Sequence, residues 1–191
     1  MPVASICVYC SSSGRTDPAF VQAAEDFGRL LGADGHELVW GGASVGSMGA
    51  VARGARAAGG KLYGVMPSAM VDREIAFTDA DELVLTATMR QRKELMEMRA
   101  DAFAVLPGGF GTLEEIFEIL TLRQLGYHAK PVGFLEVGRF WAPLFDLFEH
   151  LYATGMAKRS FSANYAVFAE PAELLAHLLA AEPAALDDKW S

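Results

Sequence analysis

Cysteine is nearly missing from this chain of 191 residues, which carries only Cys7 and Cys10. Two cysteines cannot build a disulfide framework, and without a second pair the C-x-x-C spacing does not make a metal site. If both lie on one strand they point to opposite faces, which argues against a redox pair and leaves Cys7 a packing role. Positive charge is scarce as well. Lys+Arg number 16 against 24 Asp+Glu, a formal net charge of −8. Nucleic acids and anionic membranes reward a basic surface, so neither is expected as a general partner, whereas a small anion in a locally basic pocket is compatible. No apolar run approaches the ~18–20 residues that span a bilayer. The first basic residue is Arg15, so no secretory leader is expected and the chain reads as cytoplasmic. The four histidines, His36, His128, His150 and His177, show no ligand spacing, and no metal or other cofactor is expected.

What is present is material for a core. With 52% hydrophobic and 21% charged residues, the balance is that of a globular protein of one domain. The recurring pattern is strand, turn, helix. Ser5–Tyr9 is a short β-branched and aromatic run. Asp17 before Pro18 supplies a capping side chain and a proline at the first helical position, so a helix is expected over Pro18–Ala33. Further strands are predicted at 37–40, 61–66, 82–86, 102–106, 131–135 and 167–169. Helices are predicted at 45–58, 89–99, 112–125, 142–152 and 171–181. Strands separated by helices of this length imply βαβ units. The expected architecture is α/β, a single-domain Rossmann-like fold over residues 1–181 with a doubly wound parallel sheet and helices on both faces. Residues 182–191 are expected to form a loose C-terminal tail.

In such folds ligands sit beyond the C-terminal ends of the strands, so the turns there carry the chemistry. The first, with Ser11, Ser12, Ser13 and Gly14, is a small polar loop that lets backbone N–H groups approach an anion. The second, beginning Gly41-Gly42, is a glycine-rich signal that serves tight turns and close packing as readily as a nucleotide. The third reads Pro107-Gly108-Gly109-Phe110-Gly111-Thr112-Leu113-Glu114-Glu115. Three glycines lead into a helix, an arrangement that offers free N–H groups and the positive end of the helix dipole to an anion. The same residues fit a capping box, with Glu115 reaching back to Thr112. Upstream, Arg92 and Lys93 stand near the start of a helix, where cations oppose the dipole and invite a functional reason. Arg90 and Arg99 fit a solvated basic face.

The combination M-x-x-R-K at residues 89–93 with P-G-G-x-G-T-x-x-E at residues 107–115 resembles the signature of the LONELY GUY (LOG) family. That family comprises cytokinin riboside 5′-monophosphate phosphoribohydrolases. The resemblance extends over residues 4–150, including Val8-Tyr9-Cys10-Ser11-Ser12-Ser13, the 41–49 turn, Gln124-Leu125-Gly126 and Lys130-Pro131-Val132-Gly133. It implies hydrolysis of the N-glycosidic bond of a nucleoside 5′-monophosphate, AMP or an N6-modified AMP, to free base and ribose 5-phosphate. It also implies a homodimer or larger assembly of dimers, with the site near the subunit interface. On this resemblance Arg92 and Glu115 are the catalytic residues. Substrate contacts fall on Glu74, Arg92, Lys93, Gly108, Gly109, Phe110, Gly111, Thr112, Leu113, Glu114, Glu115 and Thr121. The chain departs from the family pattern at Arg90, commonly His, and at Ala43, commonly Gly. Two other readings are a nucleotide or molybdenum-cofactor carrier without turnover, and an amino-acid decarboxylase. The latter needs a Schiff-base lysine, and none of the five lysines has a recognisable cofactor setting.

Overall fold

The computed structural model describes residues 3–71 and 76–180. The strands are β1 (Ser5–Tyr9), β2 (Glu37–Trp40), β3 (Lys61–Pro67), β4 (Glu82–Thr86), β5 (Ala102–Val105), β6 (Val132–Leu135) and β7 (Ala166–Phe168). The helices are α1 (Pro18–Ala33), α2 (Gly46–Ala57), α3 (Met89–Arg99), α4 (Phe110–Gln124), α5 (Ala142–Ala153) and α6 (Pro171–Ala180). Short 3₁₀ segments at Ser68–Met70 and Arg159–Asn164 have no periodic signal in the sequence. The tail expected at 182–191 and the last residue of the final predicted helix lie outside the described residues.

All seven strands run parallel in the order β4-β3-β2-β1-β5-β6-β7. The chain winds outward from β1 through β4, returns to the centre at β5, and winds outward the other way. Alternation along the strands sorts the core into two layers. Ile6, Val8 and Cys10 face α1, α2 and α6 with Phe27, Leu31, Val51 and Leu174. Cys7, Tyr9, Phe103 and Val105 face α3, α4 and α5 with Met96, Ile116, Ile119 and Trp141. The two cysteines therefore lie on opposite faces of the sheet, both buried and unbridged. The start of α1 follows its sequence signal, with Asp17 Oδ1 accepting from the Ala19 N–H at 2.8 Å. The Gly/Ala content of α2 lets it press on α1. A Cβ at Gly28 would lie 2.1 Å from the Val51 carbonyl oxygen, and one at Gly54 would lie 2.2 Å from that of Glu25.

Arg99 is half-exposed, as expected, but it is also paired. At the last turn of α3 its Nε and Nη2 each donate to the Glu37 carboxylate at 2.7 Å, and Ser5 Oγ donates to the same carboxylate at 2.7 Å. These bonds tie α3 to β1 and β2 at the end of the sheet opposite the functional turns. The Arg99 hydrogen bonds hold the Glu37 carboxyl below its ordinary value despite burial. Because the folded-state value is depressed, the pair stabilises the fold above the usual glutamate range near about pH 4.3. That contribution is lost as pH falls through the depressed value. Arg99→Ala is expected to lower stability at neutral pH by roughly 1–2 kcal/mol, since Arg99 is half-exposed and its bonds are partly screened. In urea titrations the gap between wild type and variant should narrow as pH is taken below about 4. A gap independent of pH would show that the pair contributes packing alone.

Candidate active site

The winding reverses between β1 and β5, so the connections leaving these neighbours diverge and open a crevice, as at the switch point of other doubly wound sheets. The cleft there measures 320 Å³. One wall is the loop after β1, Cys10 to Ser13. The other is the start of α4, with Gly109, Gly111, Thr112, Glu114 and Glu115, and Arg92 of α3 also lines it. Met48, Met70 and Met89 complete the lining. Two motifs well separated in sequence thus meet in one cleft because the βαβ crossover places β5 beside β1.

The helix start differs from its sequence reading. Helix α4 begins at Phe110 with Gly109 extended as its cap, not at Thr112, and Gly109 contributes no side-chain hydrogen bond. Thr112 is the third helical residue and Glu115 the sixth, so Glu115 is out of position for a capping box with Thr112. The first helical hydrogen bond runs from the Leu113 N–H to the Gly109 carbonyl at 3.0 Å. The N–H groups of Phe110, Gly111 and Thr112 precede it and point from the positive end of the helix. Gly108 fits tightly behind them, since a Cβ there would lie 2.1 Å from Thr112 Oγ1.

With the cap excluded, the buried Glu115 carboxylate is turned to Arg92, and Oε1 lies 3.3 Å from Nη1. Both are almost fully buried, Glu115 at 3% and Arg92 at 5% exposed. A carboxylate and a guanidinium this deeply placed have given up much hydration, which structural convenience rarely requires. Arg92 is further held by its Nε, which donates to the Val65 carbonyl at 3.2 Å, and by Met89 Sδ, 3.9 Å from Nη1. Nη2 is buried with no hydrogen-bond acceptor among the described residues. Burial raises the Cys10 thiol well above its ordinary value, and the Glu115 charge adds to the rise, so Cys10 is a neutral wall of the cleft.

The other sequence candidates fall in several places. Ser11, Ser12 and Ser13 line the cleft, whereas Gly14, Gly41 and Gly42 do not. Ser13 N–H donates to Ser11 Oγ at 3.1 Å, which stiffens the loop. Phe110 is 92% exposed, and Leu113 packs on the core beneath α4. Lys93 pairs with Glu114 and with Glu118, the latter at 2.8 Å. Burial lowers its pKa, but the two carboxylates outweigh it and the net shift is upward. Thr121 lies about two and a half turns beyond Thr112, with its hydroxyl donating to the Phe117 carbonyl at 2.7 Å. It lines a separate apolar groove of 130 Å³ with Phe117, Phe148 and Tyr165. Glu74 lies outside the described residues. Of the methionines in the lining, Met89 belongs to the M-x-x-R-K motif of residues 89–93, with no site role assigned to it from the sequence. Met89 was legible in principle, because it stands three residues before Arg92 on one helix and so shares its face. Met48 and Met70 had no such signal.

A doubly wound parallel sheet with a helix start and a buried Arg–Glu pair lining a cleft at its switch point defines a protein of Rossmann-like α/β fold. Residues 48–178 match the family model described as "possible lysine decarboxylase". A cytokinin riboside 5′-monophosphate phosphoribohydrolase of Mycobacterium tuberculosis is 49% identical over 132 residues, 69% of this chain and 70% of that one. The Mycobacterium marinum protein of the same name is 43% identical over 156 residues, 82% and 83% of the two chains. The chain belongs to this family, the LOG family of the sequence resemblance. A molybdenum-cofactor carrier protein of Chlamydomonas reinhardtii superposes with a TM-score of 0.72 over 95% of this chain and all of the other at 22% identity, a likeness of fold alone. Among the described residues no lysine lines the cleft, so the family model's description finds no Schiff-base residue there. Among the described residues no helix is long and apolar enough to cross a membrane.

Proposed function

We propose that the protein hydrolyses the N-glycosidic bond of nucleoside 5′-monophosphates, AMP or N6-modified AMP, releasing the free base and ribose 5-phosphate. The observation that carries this reading is the buried pair of Arg92 and Glu115, 3.3 Å apart in the cleft that the start of α4 enters. The family's curated relatives support it. The 5′-phosphate binds the N–H groups of Phe110, Gly111 and Thr112, and the seryl loop after β1 borders it. As the C1′–N bond breaks, positive charge develops on the sugar. The Glu115 carboxylate stabilises that charge and orients the attacking water, whose oxygen bonds to C1′ and whose released proton is taken up by the departing base. Arg92 holds Glu115 in place and supplies its counter-charge. No metal or cofactor enters these steps.

Glu74 is proposed to grip a sugar hydroxyl or the base. Lys93 sets Glu114 at the cleft edge through its ion pair. Thr121 faces another groove, so its contact with substrate would come through a second copy of the chain. The exposed Phe110, Phe117, Leu125, Leu147 and Met156 support a homodimer or larger assembly of dimers. The same reading takes the protein to be cytoplasmic, with nucleic acid and membrane excluded as partners. A carrier binds without turnover, and the paired charges in the cleft favour turnover. A panel of nucleoside 5′-monophosphates, including AMP and isopentenyl-adenosine monophosphate, is expected to yield free base by chromatography. Binding of these nucleotides by calorimetry with no base released from any would favour the carrier.

A further inference from the structure

Gly41 follows β2 directly, outside the cleft lining, and its backbone does not need a glycine. The glycines with positive φ include its neighbour Gly42 at 78°, but not Gly41. Space is the reason instead. A Cβ at Gly41 would lie 1.9 Å from Nη2 of Arg92, 2.9 Å from its Cζ and 3.2 Å from Met48 Cε. The Nη2 end of the guanidinium therefore occupies the space that a side chain at Gly41 would fill. On its other sides Nε donates to the Val65 carbonyl and Nη1 faces Glu115 and Met89. Hydrogen bonds and charge hold two of the three nitrogens. Nη2, with no acceptor among the described residues, is held by fit.

We propose that Gly41 is a positioning residue, and that its missing side chain is the slot that aims the Arg92 guanidinium at Glu115. A methyl group at this position occupies the place of Nη2. What yields is the end of a flexible side chain rather than backbone, so the fold survives and the alignment with Glu115 does not. This gives the glycine after β2 a role different from the phosphate contact that its glycine-rich turn suggests. The proposal rests on the reading that Arg92 serves base release.

The test is a double-mutant cycle of Gly41→Ala and Arg92→Ala, with kcat and KM for adenine release from AMP and melting temperature measured for all four proteins. Gly41→Ala is expected to lower kcat at least ten-fold with a smaller change in KM, as small misplacements of a reacting group do. It should cost a few degrees of melting temperature in the wild-type background. In the Arg92→Ala background, where no guanidinium remains to be displaced, that cost should vanish. Wild-type kcat in Gly41→Ala would overturn the proposal. So would a loss of melting temperature that is the same with and without Arg92, including failure to fold of both proteins that carry Gly41→Ala, because it would assign Gly41 to the fold. Full activity in Arg92→Ala alone would instead overturn the reading of the site, and this result is distinct from the others.

Discussion

Glu115→Gln should lower kcat for base release by at least two orders of magnitude. Glutamine keeps the size of the side chain and can still accept a hydrogen bond from Arg92, 3.3 Å away. What it removes is the negative charge. Carboxylate contributions of this kind are typically about 10²–10⁴-fold in rate. A helix-capping role no longer competes, because Glu115 sits six residues into a helix that begins at Phe110. The remaining competitor is a structural ion pair for a buried arginine. The change leaves Arg92 without its counter-charge, so stability should also fall, by roughly 2 kcal/mol. For a chain of this size that is about 4–8 °C in melting temperature, well short of unfolding at an assay temperature near 25 °C. The structural role predicts this shift with full activity in the folded protein. The catalytic role predicts both losses. A Glu115→Gln protein that releases adenine at near wild-type rate would refute the mechanism and leave Glu115 as a partner for Arg92.

Adenosine should be a far poorer substrate than AMP. The three leading N–H groups of α4 precede its first helical hydrogen bond, Gly111 and Thr112 line the cleft, and the positive end of the helix dipole lies behind them; a phosphate dianion answers both features. Each charge-assisted hydrogen bond is worth about 1.5–3 kcal/mol. Two of them therefore separate the substrates by roughly 10²–10⁴-fold in kcat/KM. If the bonds act alike in the ground and transition states, the loss falls on KM. If the phosphate anchors the sugar against Glu115, it falls on kcat as well. Steady-state kinetics on both compounds read the ratio directly. Comparable kcat/KM values would show that the start of α4 is a packing feature and that the substrate is recognised elsewhere.

The α/β pattern was legible because each signal is local. Asp17-Pro18 caps a helix wherever it stands, and a run such as Ala102 to Val105, apolar at every position, reads as a strand buried on both faces. Boundaries slipped where a tertiary partner changed the local preference. Phe110 and Gly111 are poor helix formers by propensity, yet α4 includes them, with Gly108 packed closely against Thr112 of its first turn. Arg99 had the look of a solvated cation because its partner Glu37 lies 62 residues away.

The sequence by itself determined the alternation of strands and helices, the acidic surface, the two thiols without a partner pair, and the two motifs containing Arg92 and Glu115. These depend on residue type and spacing, which need no third dimension. The tertiary structure alone decided what the motifs do to each other. Residues 92 and 115 meet because β5 returns to the side of β1. Glu115 turns away from the helix cap because α4 starts at Phe110. Gly41 contacts Arg92 because the strand that precedes it ends against the side chain of a helix far along the chain. Contacts across such separations are set by the order of strands in the sheet, and that order is a property of the packed chain rather than of any window along it.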